Sequence, residues 1–134
     1  MIEAVNRQRK RKIDTKAWET FAARAANVIG HHASSVTIAF VSDKSIRQLN
    51  RQFRGVDKAT DVLSFPAEDE TNLGDIAISV ETAAAQAKEN GLTFEGEVAQ
   101  LILHGLLHLS GYDHETDSGE MNRLELRLRR KLGI

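Results

Sequence analysis

Between Thr93 and Gly111 the chain carries Val98, Leu101, Ile102, Leu103, Leu106 and Leu107, which coat most of a helix's circumference with apolar side chains. Such a helix is stable only when surrounded, so the remaining segments must form layers around it. Thr93 is placed to open it and Gly111 to break it. Residues 2–6 read as a short first strand, and Ser35–Val41, rich in β-branched residues, as a second. Asp14 or Thr15 caps a helix through Trp18, Phe21, Ala22, Ala25 and Val28, which Gly30 ends. Ser42 caps another, with Ile46, Leu49 and Phe53 as its expected buried stripe. Val62–Phe65 is a short strand that the only proline, Pro66, should stop; an acidic loop 67–72 follows, and Gly74–Val80 alternates like a strand. Glu81–Asn90 is alanine-rich and helical, closed by Gly91. Asp117 and Glu120 are spaced as a capping box for a last helix ending near Lys131. Four strands mixed with helices describe an α+β domain, a four-stranded sheet packed with helices around one central buried helix.

No linker, repeat or low-complexity run divides the 134 residues, so a single domain over 1–134 is expected. With 41% hydrophobic and 28% charged residues the composition is globular, and no apolar run approaches the roughly 20 residues that span a bilayer. The start, MIEAVNRQRKRKID, lacks the apolar stretch of a secretory signal, and a cytosolic location is the expectation. Cysteine is absent, so any metal must be held by His, Asp or Glu. The net charge of −1 conceals a basic cluster at Arg7, Arg9, Lys10, Arg11 and Lys12, and another at Arg127, Arg129, Arg130 and Lys131. Acidic residues gather at Glu68, Asp69 and Glu70. Concentrated positive charge can bind a polyanion, but solvated helix ends and a frayed terminus account for these clusters more simply.

The most informative segment reads His104-Gly-Leu-Leu-His108-Leu-Ser-Gly111-Tyr-Asp-His114. Residues four apart share a helix face, so His104 and His108 can reach one ion, and zinc takes nitrogen ligands at about 2.0–2.1 Å. Gly111 tolerates the reversal that would swing His114 back toward them. Three neutral histidines leave a fourth position for water, the arrangement of a catalytic and not a closed structural site. Zinc is the expected ion, with nickel and other borderline divalent ions open to the same donors. His31 and His32 follow a helix stop and read as surface residues. The spacing also matches metzincin proteases, but those place a glutamate directly after the first histidine as general base, and here that position is Gly105.

The string HGLLHLSGYDH closely resembles the signature of the YbeY endoribonucleases, a bacterial family of ribosomal RNA maturation factors. Two further stretches carry the resemblance in the same order: Arg54-Gly-Val-Asp-Lys-Ala-Thr60-Asp61-Val-Leu-Ser-Phe-Pro66, and Leu73-Gly-Asp75-Ile-Ala-Ile-Ser79. The resemblance covers nearly the whole chain. It implies a mixed sheet with helices, a metal bound by His104, His108 and His114, and hydrolysis of single-stranded RNA in the cytoplasm. It further implies a role in small-subunit ribosomal RNA 3′-end processing and ribosome quality control, with ribosomal proteins as candidate partners and no membrane. Arg54 corresponds to the family's functional arginine.

An ion held by neutral imidazoles keeps its charge, lowers the pKa of bound water to about 7 and polarises a phosphate oxygen. Arg54 can present a guanidinium fork to phosphate oxygens, which places Arg54 and His114 as the catalytic candidates. Asp113 and Asp75 are open as general base, although Asp113 could instead orient a ligand and Asp75 cap a turn. Asp61 and Ser64 either shape the cleft or end a strand, and Tyr112 either stacks on a base or packs on the helix. Two other functions compete: a non-catalytic ribosome-assembly factor with the metal as a structural clip, and a metal-dependent hydrolase of a peptide or small amide.

Overall fold

The computed structural model describes residues 1–31, 34–69, 71–113 and 116–134. His32, Glu70 and His114, each named above, lie outside the described residues. The chain runs β1 (Ile2–Asn6), α1 (Thr15–Ile29), β2 (Ser35–Val41), α2 (Asp43–Arg54), β3 (Val62–Asp69), β4 (Asn72–Ser79), α3 (Val80–Asn90), α4 (Phe94–Leu109) and α5 (Glu120–Leu132). The sheet has the order β1-β2-β4-β3, with β1–β2 and β2–β4 parallel and β3–β4 antiparallel. The expected α+β architecture with a mixed four-stranded sheet is thus present.

Period-two alternation sorts the strand residues between two faces. Val36, Ile38, Phe40, Ile76 and Ile78 join the main core with α1, α3, α4 and α5, while Ala39, Val41, Leu63, Ala77 and Phe65 meet Ile46 and Leu49 of α2. The central helix is α4: Val98, Ile102, Leu103, Leu106 and Leu107 are fully enclosed. Its start is capped by Thr93, whose hydroxyl accepts the Gly96 N–H at 2.9 Å. Gly105 marks a close approach to the sheet, since a β-carbon there would lie 2.9 Å from Ile76 Cδ1 and 3.2 Å from Ser64 Oγ.

Several expectations need correction. Pro66 does not stop β3, which continues to Asp69. As the edge strand, β3 can accommodate a residue without an N–H, and its register with β4 shifts between Pro66 and Asp69. The acidic stretch is therefore largely hairpin and not loop, with Asp69 Oδ1 accepting the Thr71 N–H at 3.0 Å. Gly74, at φ +134°, faces Pro66 across this hairpin, and a β-carbon there would collide with the Phe65 carbonyl. In α2, Phe53 is 60% exposed and stacks edge-on against Phe65, while Asn50 takes the buried position and donates to the Lys58 carbonyl at 2.8 Å. The last helix has Gly119 at its N-cap, so the expected capping box is replaced. Asp117 reaches past it, with Oδ2 accepting the Met121 N–H at 2.9 Å, while Glu120 accepts the Ser118 N–H.

Within the basic segment 7–12 the Gln8 side chain ties the turn together. Gln8 donates to Asn6 Oδ1 and the Arg11 carbonyl, and accepts from the Lys10 and Arg11 N–H groups. Arg11 then lies 3.9 Å over the Phe94 ring, a cation–π contact that occupies one of the cluster's charges within the protein. Among the described residues no helix is long and apolar enough to cross a membrane.

Candidate metal centre and cleft

A cleft of about 510 Å³ lies between the C-terminal half of α4 and the edge strand β3. Two imidazoles form its floor. His104 and His108, one turn apart, bring their Nε2 atoms to 3.0 Å with their rings nearly perpendicular. A single cation at the roughly 2.0–2.1 Å typical of zinc–nitrogen bonds can be shared by two nitrogens this close. The donor set therefore fits a divalent ion. Among the described residues no group of three His, Cys, Asp or Glu side chains gathers around one point, and the third expected ligand, His114, is outside them.

The Nδ1 atom of His104 meets Glu125 Oε1 at 2.8 Å, and the other carboxylate oxygen accepts from Arg129 Nη2 at 3.2 Å. Burial pushes the Glu125 carboxyl up, but the hydrogen bond from His104 and electrostatic attraction from His104, Arg129 and His108 outweigh it and hold it below its usual range. A metal-bound histidine ordinarily has such a carboxylate behind it. Reading by motif missed both residues, because α5 contributes none of the three stretches of resemblance. The available signal was periodicity: Glu125 falls in line with Met121, Leu128 and Leu132, the buried stripe of α5. A carboxylate at a core position implies a partner. Arg129 accordingly leaves the solvated basic cluster expected at the C-terminus.

Around the histidines the cleft is polar. Arg54 reaches it from the C-terminal end of α2, where Gly55, in the left-handed conformation, turns the chain away. Thr60, Asp61 and Ser64 line the β3 side, and Tyr112 and Asp113 line the segment after α4. Asp61 Oδ1 is engaged by the Val62 N–H at 2.8 Å and the Thr60 hydroxyl at 3.2 Å, which holds the entry to β3. Tyr112 is 37% exposed, so it forms part of the cleft wall and is not packed away against α4. Asp75 is not at this site. It alternates with Ile76 on β4 and so faces the opposite side of the sheet, in a groove with Thr37, Phe53 and Phe65. Gly105 also bears on the protease alternative, since even a β-carbon where a metzincin base would stand crowds Ile76 and Ser64.

The cleft thus unites Arg54, His104 and His108 from distant parts of the chain, and comparison with known proteins gives it a context. The model of the family Endoribonuclease YbeY matches residues 3–133. A protein named Endoribonuclease YbeY from Solibacter usitatus is 50% identical over 118 residues, spanning 88% of this chain and 79% of that relative. Another of that name, from Koribacter versatilis, is 51% identical over 115 residues, spanning 86% of this chain and 73% of its own. A Thermotoga maritima protein whose structure was solved in solution superposes with a TM-score of 0.70 at 31% identity, covering 98% of this chain and 89% of that one. With a family match of that extent and relatives of that identity, the chain belongs to the YbeY endoribonuclease family.

Proposed function

We propose that this protein is a zinc-dependent endoribonuclease that cleaves single-stranded RNA, with His104, His108 and His114 as metal ligands and Arg54 and His114 as catalytic residues. The observation that carries the proposal is the convergence of two imidazole Nε2 atoms to 3.0 Å on the floor of a polar cleft whose rim holds Arg54. When bound, the ion, zinc or nickel by its donors, supplies an activated water and positive charge at a phosphate oxygen. The chain's own residues do the rest. Arg54, at the cleft rim, donates two parallel N–H bonds to the phosphate and fixes its orientation. Tyr112 offers a flat wall on which an unpaired base stacks, which favours single strands over duplex. Among the described residues, Asp113 and Asp61 are the carboxylates that line the cleft and can accept a proton. Family membership supports small-subunit ribosomal RNA as the substrate, ribosomal proteins as neighbours and the cytoplasm as the place of action.

The test is cleavage of labelled single-stranded and duplex RNA by the purified protein, as isolated, chelated and reloaded with zinc. His114→Ala is expected to lose both zinc and cleavage, and Arg54→Glu to keep zinc and lose cleavage. Unchanged cleavage in both variants, or cleavage indifferent to chelation, refutes the proposal.

A further inference from the structure

We infer that Glu125, with Arg129 behind it, is a positioning residue that places the proton of His104 on Nδ1 and thereby turns the unprotonated Nε2 toward the ion. The inference rests on the metal reading above and deepens it. The starting point is the cost of the arrangement. Met121, Glu125, Leu128 and Leu132 form one buried stripe of α5, with Glu125 only 8% exposed among apolar neighbours. A leucine there would complete the core at no electrostatic cost, whereas a carboxylate must find strong partners.

Both of its oxygens have them. Oε1 stands 2.8 Å from His104 Nδ1, and Oε2 accepts from Arg129 Nη2 at 3.2 Å, one turn along the same helix. An ionised carboxylate can only accept hydrogen bonds, so the contact requires the proton on Nδ1. A neutral imidazole protonated there presents a lone pair at Nε2. That is the atom lying 3.0 Å from His108 Nε2 on the cleft floor. Arg129 fixes the rotation of the carboxylate, so the chain Arg129–Glu125–His104 determines both the tautomer and the aim of the ring. By this route α5, none of whose residues lines the cleft, acts on the site.

A mere brace between α4 and α5 would also use this contact, and two measurements separate the roles. Nitrogen NMR of the imidazole rings in chelated wild-type protein at about pH 8, above the ordinary imidazole pKa, should show His104 as a single tautomer protonated on Nδ1. Zinc affinity, measured by competition with a chromogenic chelator, should fall about 10–100-fold in Glu125→Leu. Its His104 should then populate both tautomers, while Glu125→Gln, which keeps a carbonyl acceptor, moves affinity back toward wild type. A folded Glu125→Leu with wild-type zinc affinity, or a wild-type His104 protonated on Nε2, overturns the inference. Should Glu125→Leu fail to fold, the wild-type tautomer decides alone. Failure of the wild-type protein to bind zinc overturns instead the metal reading on which the inference stands.

Discussion

Replacing Gly105 with alanine tests the packing that positions both histidines. In a solvent-facing helix the change would stabilise by about 0.8–1.0 kcal/mol, because alanine loses less backbone entropy. Here the added methyl would sit 2.9 Å from Ile76 Cδ1, 3.3 Å from Ile76 Cγ1 and 3.2 Å from Ser64 Oγ. Ile76 is only 1% exposed and cannot swing aside into solvent. Overpacking of this kind costs about 1–3 kcal/mol, so the net expectation is a loss of about 1 kcal/mol. For a chain of this length that is a melting-point drop of roughly 3–6 °C. A double-mutant cycle identifies the cause. Ile76→Val alone should cost about 0.5–1.5 kcal/mol for the lost methyl, but it also removes the Cδ1 atom that the methyl added by Gly105→Ala would strike. The double variant should therefore be about 1 kcal/mol more stable than the sum of the single changes. Urea unfolding of the four proteins without metal provides the values. The packing argument is wrong if Gly105→Ala stabilises the protein, or if the two changes add within about 0.5 kcal/mol.

Three further outcomes are expected. Chelation should lower the melting temperature by roughly 10 °C from a sample holding free zinc at about 100 times its Kd, an effect of about 2.7 kcal/mol, yet leave a cooperative transition. Ile38, Phe40, Ile102 and Leu106 are fully buried in an apolar core, whose burial is the main source of folding energy; loss of the transition would instead mark the metal as a structural clip. Tyr112→Ala should raise the KM for single-stranded RNA at unchanged zinc content, since a stacked base is worth about 1–3 kcal/mol; an unaltered KM removes the ring from recognition. The hydrogen bond from Arg47, at 2.8 Å, together with the charges of Arg47 and Arg51, holds the exposed Asp57 carboxyl below its usual range against the opposing effect of desolvation. Its folded pKa being depressed, the pair's stabilisation is present above the unfolded value of about 4 and disappears as pH falls through the folded one. Asp57→Asn should flatten that part of the acid limb, and an identical limb in both proteins would assign the pair no role.

Much of this was legible because local rules and global packing agree. The alternation in Ser35–Val41, the caps at Asp14, Ser42 and Thr93, and the glycine stops at Gly30 and Gly91 each act within one element, and each is present where expected. The misreadings share another origin. Pro66 halts a central strand but not an edge strand, and which strand lies at the edge is a matter of topology. Phe53 fits the apolar stripe of α2 by spacing, yet its ring stands exposed, edge-on against Phe65 in an open groove on that face of the sheet.

For the site the division is sharper. The spacing of His104 and His108 alone dictated that two imidazoles share a helix face, because 3.6 residues per turn leave no other choice. Asp75, by contrast, looked equal to Asp113 as a proton acceptor until strand pairing placed it on the opposite face. Glu125 looked like one more charge on a terminal helix until α5 packed beside α4 and set its carboxylate 2.8 Å from His104. Periodicity is a property of neighbours along the chain, and the sequence expresses it directly. A contact between residues 104 and 125 depends on the angle at which two helices cross, and that angle is set by all the side chains packed between them.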